Sequence, residues 1–362
     1  MTATATAKGP GNPRKVIQGP APQAARLRTR SVVEKTAVVR EDRAIGAAAG
    51  RRTRQAYERP PALATFPRSV ETNTLVSNSS LQELLCCFGQ PVAGNPTQYM
   101  MEKAFAAAGL DWRYLTCEVS PENLGDAMRG IKAMGFYGGN ITLPHKVAVI
   151  EYLDGLSKAA ELMGAVNCIH CEDADDGSRR YLGENTDGKG FVESLRTVTE
   201  PEGKQIVVLG AGGAARAIAV ELGLSGAAEI TIVNRDPGRG QDLADLLGQR
   251  VKISSMFLPW TGDYEVPEGV EVVINATSIG LGDAEAQVPL ALDSLRSEMV
   301  VADVIFNPAE TWLLREAKDR GCTTLDGLGM LVNQAVIGFR TWSGIDPDAA
   351  VMREALEEYL EI

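Results

Sequence analysis

Side chains able to move protons or hold a metal are unevenly supplied in this 362-residue sequence. Its only histidines are His145 and His170, which excludes a three-histidine metal site and leaves little room for a Ser-His-Asp arrangement. Acid–base work therefore falls to Lys, Asp, Glu or Tyr. Cys168-Ile-His-Cys171 has the spacing of half a zinc site, but no second Cys/His pair at ligand spacing follows it, so buried thiols in a strand and no metal are expected. A different chemistry is suggested by Gly210-Ala211-Gly212-Gly213-Ala214-Ala215. Gly210 permits a tight turn, Gly212 lets the backbone approach a pyrophosphate, and small Ala215 allows close helix–strand packing. A helix starting there offers free N–H groups and a partial positive charge to phosphate.

That glycine run carries weight because of its flanks. Gln205 to Leu209 is a buried-strand pattern, Arg216 to Leu224 an apolar helix, and Glu229 to Val233 the next strand, all within about 30 residues, the context in which a dinucleotide fingerprint is credible. The second strand runs into Asn234-Arg235-Asp236-Pro237-Gly238-Arg239, where an NAD site usually has an acidic residue for the ribose hydroxyls. Arg235 and Arg239 suit the 2′-phosphate of NADP, while Asp236 leaves NAD open.

Upstream, the elements that would face this unit also alternate. Leu84 to Phe88 reads as a strand ending at Gly89, Gln98 to Gly109 as a helix, Trp112 to Val119 as a strand, Glu122 to Met134 as a helix, and Gly138 to Thr142 as a third strand. Such alternation predicts an α/β fold with a parallel sheet. The net charge of −11 averages two unlike parts: residues 1–70 hold 14 Lys+Arg against 4 Asp+Glu, and the rest holds 22 against 43. The acidic body would repel nucleic-acid phosphates. Residues 1–80, rich in Ala, Arg, Pro and Thr without a sustained apolar period, read as a disordered basic extension. The longest apolar runs fall short of the ~20 residues of a membrane helix, and no secretory pattern precedes them, so a cytoplasmic protein is expected.

Seven segments, in order, together resemble the shikimate dehydrogenase family: Asn140-Ile-Thr-Leu-Pro-His-Lys146, Gly164-Ala-Val-Asn167, Glu184-Asn-Thr-Asp-Gly188, the glycine fingerprint, Asn275-Ala-Thr-Ser-Ile-Gly280, Asp303 to Thr311, and Asp326-Gly-Leu-Gly-Met-Leu-Val-Asn-Gln334. The resemblance runs from about residue 84 to 345. It implies NADP-dependent reduction of 3-dehydroshikimate to shikimate with Lys146 and Asp187 as the acid–base pair, a charge arrangement suited to the oxyanion that hydride addition creates. It further implies that Thr142, Asn167 and Gln334 bond to ring hydroxyls, that Thr277 and the Gly327–Gly329 turn lie along the nicotinamide, and that Met330 sits beside its ring or serves as core packing. The expected architecture is two α/β domains, a substrate domain (81–188 with a returning helix pair, 326–362) and a Rossmann-type nucleotide domain (189–325), with the active site in the cleft between them. The expected partner is a small-molecule substrate, with no nucleic acid and no membrane for the folded body, in a monomer or homodimer.

Two departures stand out. The family's first loop normally carries His-Ser-x-Ser-Pro, whose serine hydroxyls hold the substrate carboxylate; here Gly94, Asn95 and Thr97 stand at the histidine and serine positions. Asn95 and Thr97 still offer an amide and a hydroxyl donor. Phe306 replaces a common tyrosine, removing one hydrogen bond. These changes keep quinate, with NAD, as an alternative, and a non-catalytic dinucleotide-binding regulator of the same fold is the reading from another class.

Overall fold

The computed structural model describes residues 81–362; the basic extension at 1–80 lies outside the described residues. Two six-stranded sheets organise the chain. The first half contains β1 (Glu83–Gly89), α1 (Thr97–Ala107), β2 (Trp112–Glu118), α2 (Leu124–Met134), β3 (Gly138–Ile141), β4 (Gly155–Leu156), α3 (Lys158–Met163), β5 (Cys168–Asp173), β6 (Arg179–Glu184) and α4 (Thr186–Arg196). The second contains β7 (Gln205–Leu209), α5 (Gly213–Leu224), β8 (Glu229–Asn234), α6 (Pro237–Leu246), β9 (Ser254–Pro259), β10 (Val272–Asn275), β11 (Val300–Asp303), α7 (Trp312–Asp319) and β12 (Thr323–Leu325). The chain then returns through α8 (Gly327–Ser343) and α9 (Ala349–Leu360).

The second sheet, ordered β12-β11-β10-β7-β8-β9, is parallel throughout. The middle of its central strands is apolar on both faces, and Ile206, Val208, Ile230 and Ile274 are at most 1% exposed. In the first sheet, ordered β2-β1-β3-β5-β6-β4, the three strands read from the alternation, β1, β2 and β3, are parallel as expected, and β5, which lay outside that reading, runs antiparallel to both β3 and β6. A turn at 174–178 joins β5 to β6 as a hairpin, and a connection that short can only reverse the chain.

Helices α8 and α9 return to the first sheet. Phe339, Trp342, Met352 and Leu356 are buried with Leu85, Met100 and Phe105, and the Trp342 indole N–H donates to the Ile169 carbonyl at 2.8 Å. Helices α3 and α4 belong by sequence to the first half, yet Leu162, Met163, Phe191 and Leu195 pack in the core of the second. Arg216, in the first turns of α5, donates to the Met163 carbonyl at 2.6 Å, and Arg250 pairs with Glu161 of α3 at 3.0 Å.

Helix α4 lies between α5 and α8, and two glycines make that fit possible. A Cβ at Gly188 would lie 2.3 Å from the Ala217 carbonyl oxygen, and one at Gly190 would lie 2.6 Å from the Gln334 backbone nitrogen. Alanine ordinarily favours a helix interior over glycine by ~1 kcal/mol. Here overpacking against backbone dominates, so Gly190→Ala is expected to destabilise the protein by about 1–3 kcal/mol, read as a lower midpoint in denaturant unfolding.

Candidate active site

A cavity of about 300 Å³ opens where β1, β3, the N-termini of α1 and α4, and α8 converge. It brings together all seven residues expected to meet substrate: Lys146, Asp187, Asn95, Thr97, Thr142, Asn167 and Gln334, with Phe306 on its wall. The Lys146 ammonium lies 2.6 Å from Asp187 Oδ2, and both side chains are largely shielded from water.

Each member of this pair is held from behind. Asp187 is in the first turn of α4, where Asn185 caps the helix by accepting the Asp187 N–H. Its second oxygen, Oδ1, accepts the Asn167 side-chain amide at 2.9 Å. Asn167 Oδ1 in turn accepts the Thr186 N–H at 2.7 Å. Lys146 follows a tight turn in which the His145 N–H donates to the Thr142 carbonyl. The His145 ring is 1% exposed and sits 2.7 Å from the Val119 carbonyl, so it anchors the loop and does not face the cavity. The second histidine, His170, lies on β5, its Nε2 3.6 Å from a Glu172 carboxylate oxygen.

Two supports were not assigned from the sequence. The Tyr114 hydroxyl, fully buried on β2, donates to Asn140 Oδ1 at 2.6 Å, and the Asn140 amide donates to the Asn167 carbonyl at 3.1 Å. An asparagine inside a short buried strand is the available sequence signal, because such a group needs partners. Cys87 also lines the cavity, and burial pushes its thiol up to about 12, which keeps it protonated. Of the two thiols expected to be buried in a strand, Cys168 is fully buried on β5, whereas Cys171 is only half-buried.

At the loop after β1, Asn95 Oδ1 accepts the Thr97 N–H at 2.9 Å and so occupies a free N–H at the start of α1. That leaves the Asn95 Nδ2 and the Thr97 hydroxyl as the donors of this corner. Among the described residues, Lys146 is the only cation lining the cavity, and it is already paired.

The second sheet fits a dinucleotide. Gly210, at φ +110, occupies a conformation reserved for glycine, and a Cβ there would lie 2.9 Å from the Ala276 carbonyl oxygen. Gly212 and Gly213 face open space at the start of α5, and Ala215 is fully buried beneath them. Ala211 lies in the turn and Ala214 in the first turn of α5. The Asn234 side chain donates to the Asp236 carbonyl at the end of β8. The Asp236 carboxylate accepts the Arg239 N–H as the cap of α6 and lies 3.7 Å from the Arg239 guanidinium, so it serves the turn. Arg235 is exposed beside Trp260 and Thr261, with no ion pair among the described residues. Thr277 is bonded to Asn275, Gly327 opens α8, and Met330 is half-buried against the second half's core, the packing alternative for that residue.

A glycine-turned parallel sheet on one side and a polar cleft with a lysine–aspartate pair on the other is the layout of two-domain nicotinamide-nucleotide dehydrogenases, and the chain falls in that class. Three family descriptions match it: the shikimate dehydrogenase substrate binding domain at 87–169, shikimate / quinate 5-dehydrogenase at 194–280, and the shikimate 5′-dehydrogenase C-terminal domain at 327–357. A shikimate dehydrogenase (NADP(+)) of Shouchella clausii is 39% identical over 75% of this chain and 97% of its own. The ligand-free 5-ketofructose reductase of Gluconobacter sp. strain CHM43 is 51% identical, with a TM-score of 0.75 over 77% of this chain and 99% of its own. A Thermus thermophilus shikimate 5-dehydrogenase solved with NADP(H) and shikimate is 32% identical, with a TM-score of 0.66 over 77% of this chain and all of its own. The chain belongs to the shikimate dehydrogenase family.

If Lys146 supplies the proton, Lys146→Met lowers kcat by roughly 10²–10⁴-fold in steady-state assays while NADPH affinity by fluorescence titration stays within about 3-fold. Arg235→Ala is expected to raise the KM for NADP by roughly 10-fold and leave that for NAD unchanged, since only NADP carries the phosphate that a guanidinium grips.

Proposed function

We propose that the chain catalyses the reversible NADP-dependent reduction of 3-dehydroshikimate to shikimate. The observation that carries this reading is the 2.6 Å Lys146–Asp187 contact inside a polar cavity lined by hydroxyl and amide groups. NADPH, when bound, supplies the hydride that reaches the substrate ketone. Lys146 stabilises the charge that gathers on the ketone oxygen and delivers its proton there, producing the alcohol. Asp187 keeps the ammonium aimed and accepts a hydrogen bond from a neighbouring substrate hydroxyl. Thr142, Asn167 and Gln334 bind ring hydroxyls, and Asn95 and Thr97 hold the carboxylate.

The N–H groups of the Gly210–Ala214 turn take the pyrophosphate, Arg235 and Arg239 the 2′-phosphate, and Thr277, Gly327 and Met330 the nicotinamide end, with Asn234 shaping the ribose side. We read 81–188 with 326–362 as the substrate half and 189–325 as the cofactor half. The reading includes a monomer or homodimer and no nucleic-acid partner for the acidic body. No helix among the described residues is long and apolar enough to cross a membrane. Six free cysteines support a reducing, cytoplasmic setting.

A second reading, reduction of an uncharged ketose, is favoured by the corner at Asn95 and Thr97. Neutral donors without a free cation bind hydroxyls as readily as a carboxylate, and the 51% identical relative is a 5-ketofructose reductase. Initial rates of oxidation of shikimate, quinate and D-fructose, each with NADP and NAD, separate the readings. The first predicts the highest kcat/KM for shikimate with NADP. A kcat/KM at least roughly 10-fold higher for fructose selects the second, since specificity is the ratio of these values.

A further inference from the structure

Asp303 takes no part in the proton chemistry at Lys146, yet it joins the loops that follow β10 and β11. It is 1% exposed and pairs with no cation among the described residues. Its Oδ1 accepts the Asn275 side-chain amide at 3.0 Å and the Ile305 N–H at 3.1 Å, and its Oδ2 accepts the Thr311 hydroxyl at 2.8 Å. The other end of the Asn275 amide accepts the Thr277 hydroxyl at 2.7 Å. The Ile305 carbonyl accepts the N–H of Gly327, the first residue of α8, and the next residue, Phe306, lines the cavity.

We infer that Asp303 is a positioning residue for hydride transfer, fixing Thr277 on the cofactor side and Phe306 on the substrate side from a single carboxylate. This rests on the dehydrogenase reading above. Burial pushes the carboxyl up to about 6, so between the ordinary carboxylate range and about 6 the folded chain binds more protons than the unfolded chain and loses stability as pH rises. An anion held at neutral pH against that penalty is a poor choice for stability alone.

The test compares wild type, Asp303→Asn and Asp303→Ala. Asparagine can keep all three hydrogen bonds, its oxygen accepting from Asn275 and Ile305 and its nitrogen donating to Thr311. Asp303→Asn is expected to retain kcat within about 3-fold, with an equal or higher melting temperature at about pH 7.5, where the carboxylate it replaces is charged. Asp303→Ala is expected to lose roughly 30- to 100-fold in kcat, the scale of a small misplacement. Its primary isotope effect with 4-deuterated NADPH should rise, and the emission of bound NADPH should shift. If Asp303→Ala does not fold, Asn275→Ala, which cuts the arm to Thr277, takes its place with the same expectations. An isotope effect and bound emission equal to wild type would overturn the inference whatever the melting temperature, and so would an asparagine variant as impaired as the alanine one. If wild type turns over none of the three substrates, the functional reading fails, and the emission of bound NADPH alone decides whether Asp303 positions the ring.

Discussion

Two charges in a partly shielded cleft must hold each other without neutralising the cleft's chemistry, and the Lys146–Asp187 contact is where the chain meets that constraint. Asp187 comes from the first turn of a helix, where the backbone's positive end stabilises a carboxylate, and Lys146 from a loop pinned by a buried imidazole. Asn167 closes the arrangement by occupying the carboxylate's second oxygen. With that oxygen fixed, Asp187 cannot rotate away, and the ammonium has one well-defined partner. Much of the first half then reads as support: Tyr114 holds Asn140, Asn140 holds the Asn167 backbone, and the sheet holds all three.

The two sheets contribute different kinds of specificity. The parallel second sheet presents backbone N–H groups and a turn only glycine can make, features that recognise a phosphate whatever the rest of the ligand is. The first presents side-chain hydroxyls and amides lining the cavity, the kind of groups suited to reading the pattern of oxygens on a substrate. The corner at Asn95 and Thr97 belongs to the second kind. One asparagine oxygen is committed to the helix, so what it offers is hydrogen-bond donation without net charge.

Much of this was legible in the sequence, for identifiable reasons. The strand–glycine–helix unit was readable because each residue answers a local backbone demand, as Gly210 and Ala215 do. Lys146 and Asp187 became readable only through the ordered set of family segments, since nothing local distinguishes a lysine after Pro-His from a solvated one. The antiparallel β5 was missed because alternation of strand and helix is silent about direction once a hairpin intervenes. The roles of Tyr114 and Asn140 depend on partners 26 and 27 residues away, a distance that periodicity does not span. The capping role of Asp236 depends on where its carboxylate turns, which the residue type leaves open.

The grip of Arg216 and Arg250 on α3 bears on separability. Helix α3 sits between two strands of the first sheet in sequence but buries Leu162 and Met163 in the core of the second half, and α4 does the same with Phe191 and Leu195. A cut at residue 188 would fall inside α4 (Thr186–Arg196), leaving Phe191 and Leu195 with the second half, and would carry α3 away with Leu162 and Met163 uncovered and the second core open where they had packed. Though described by two sheets, the body behaves in its interior as interlocked pieces, and exchanging one half for a relative's would require matching α3 and its arginines as well as the visible cleft.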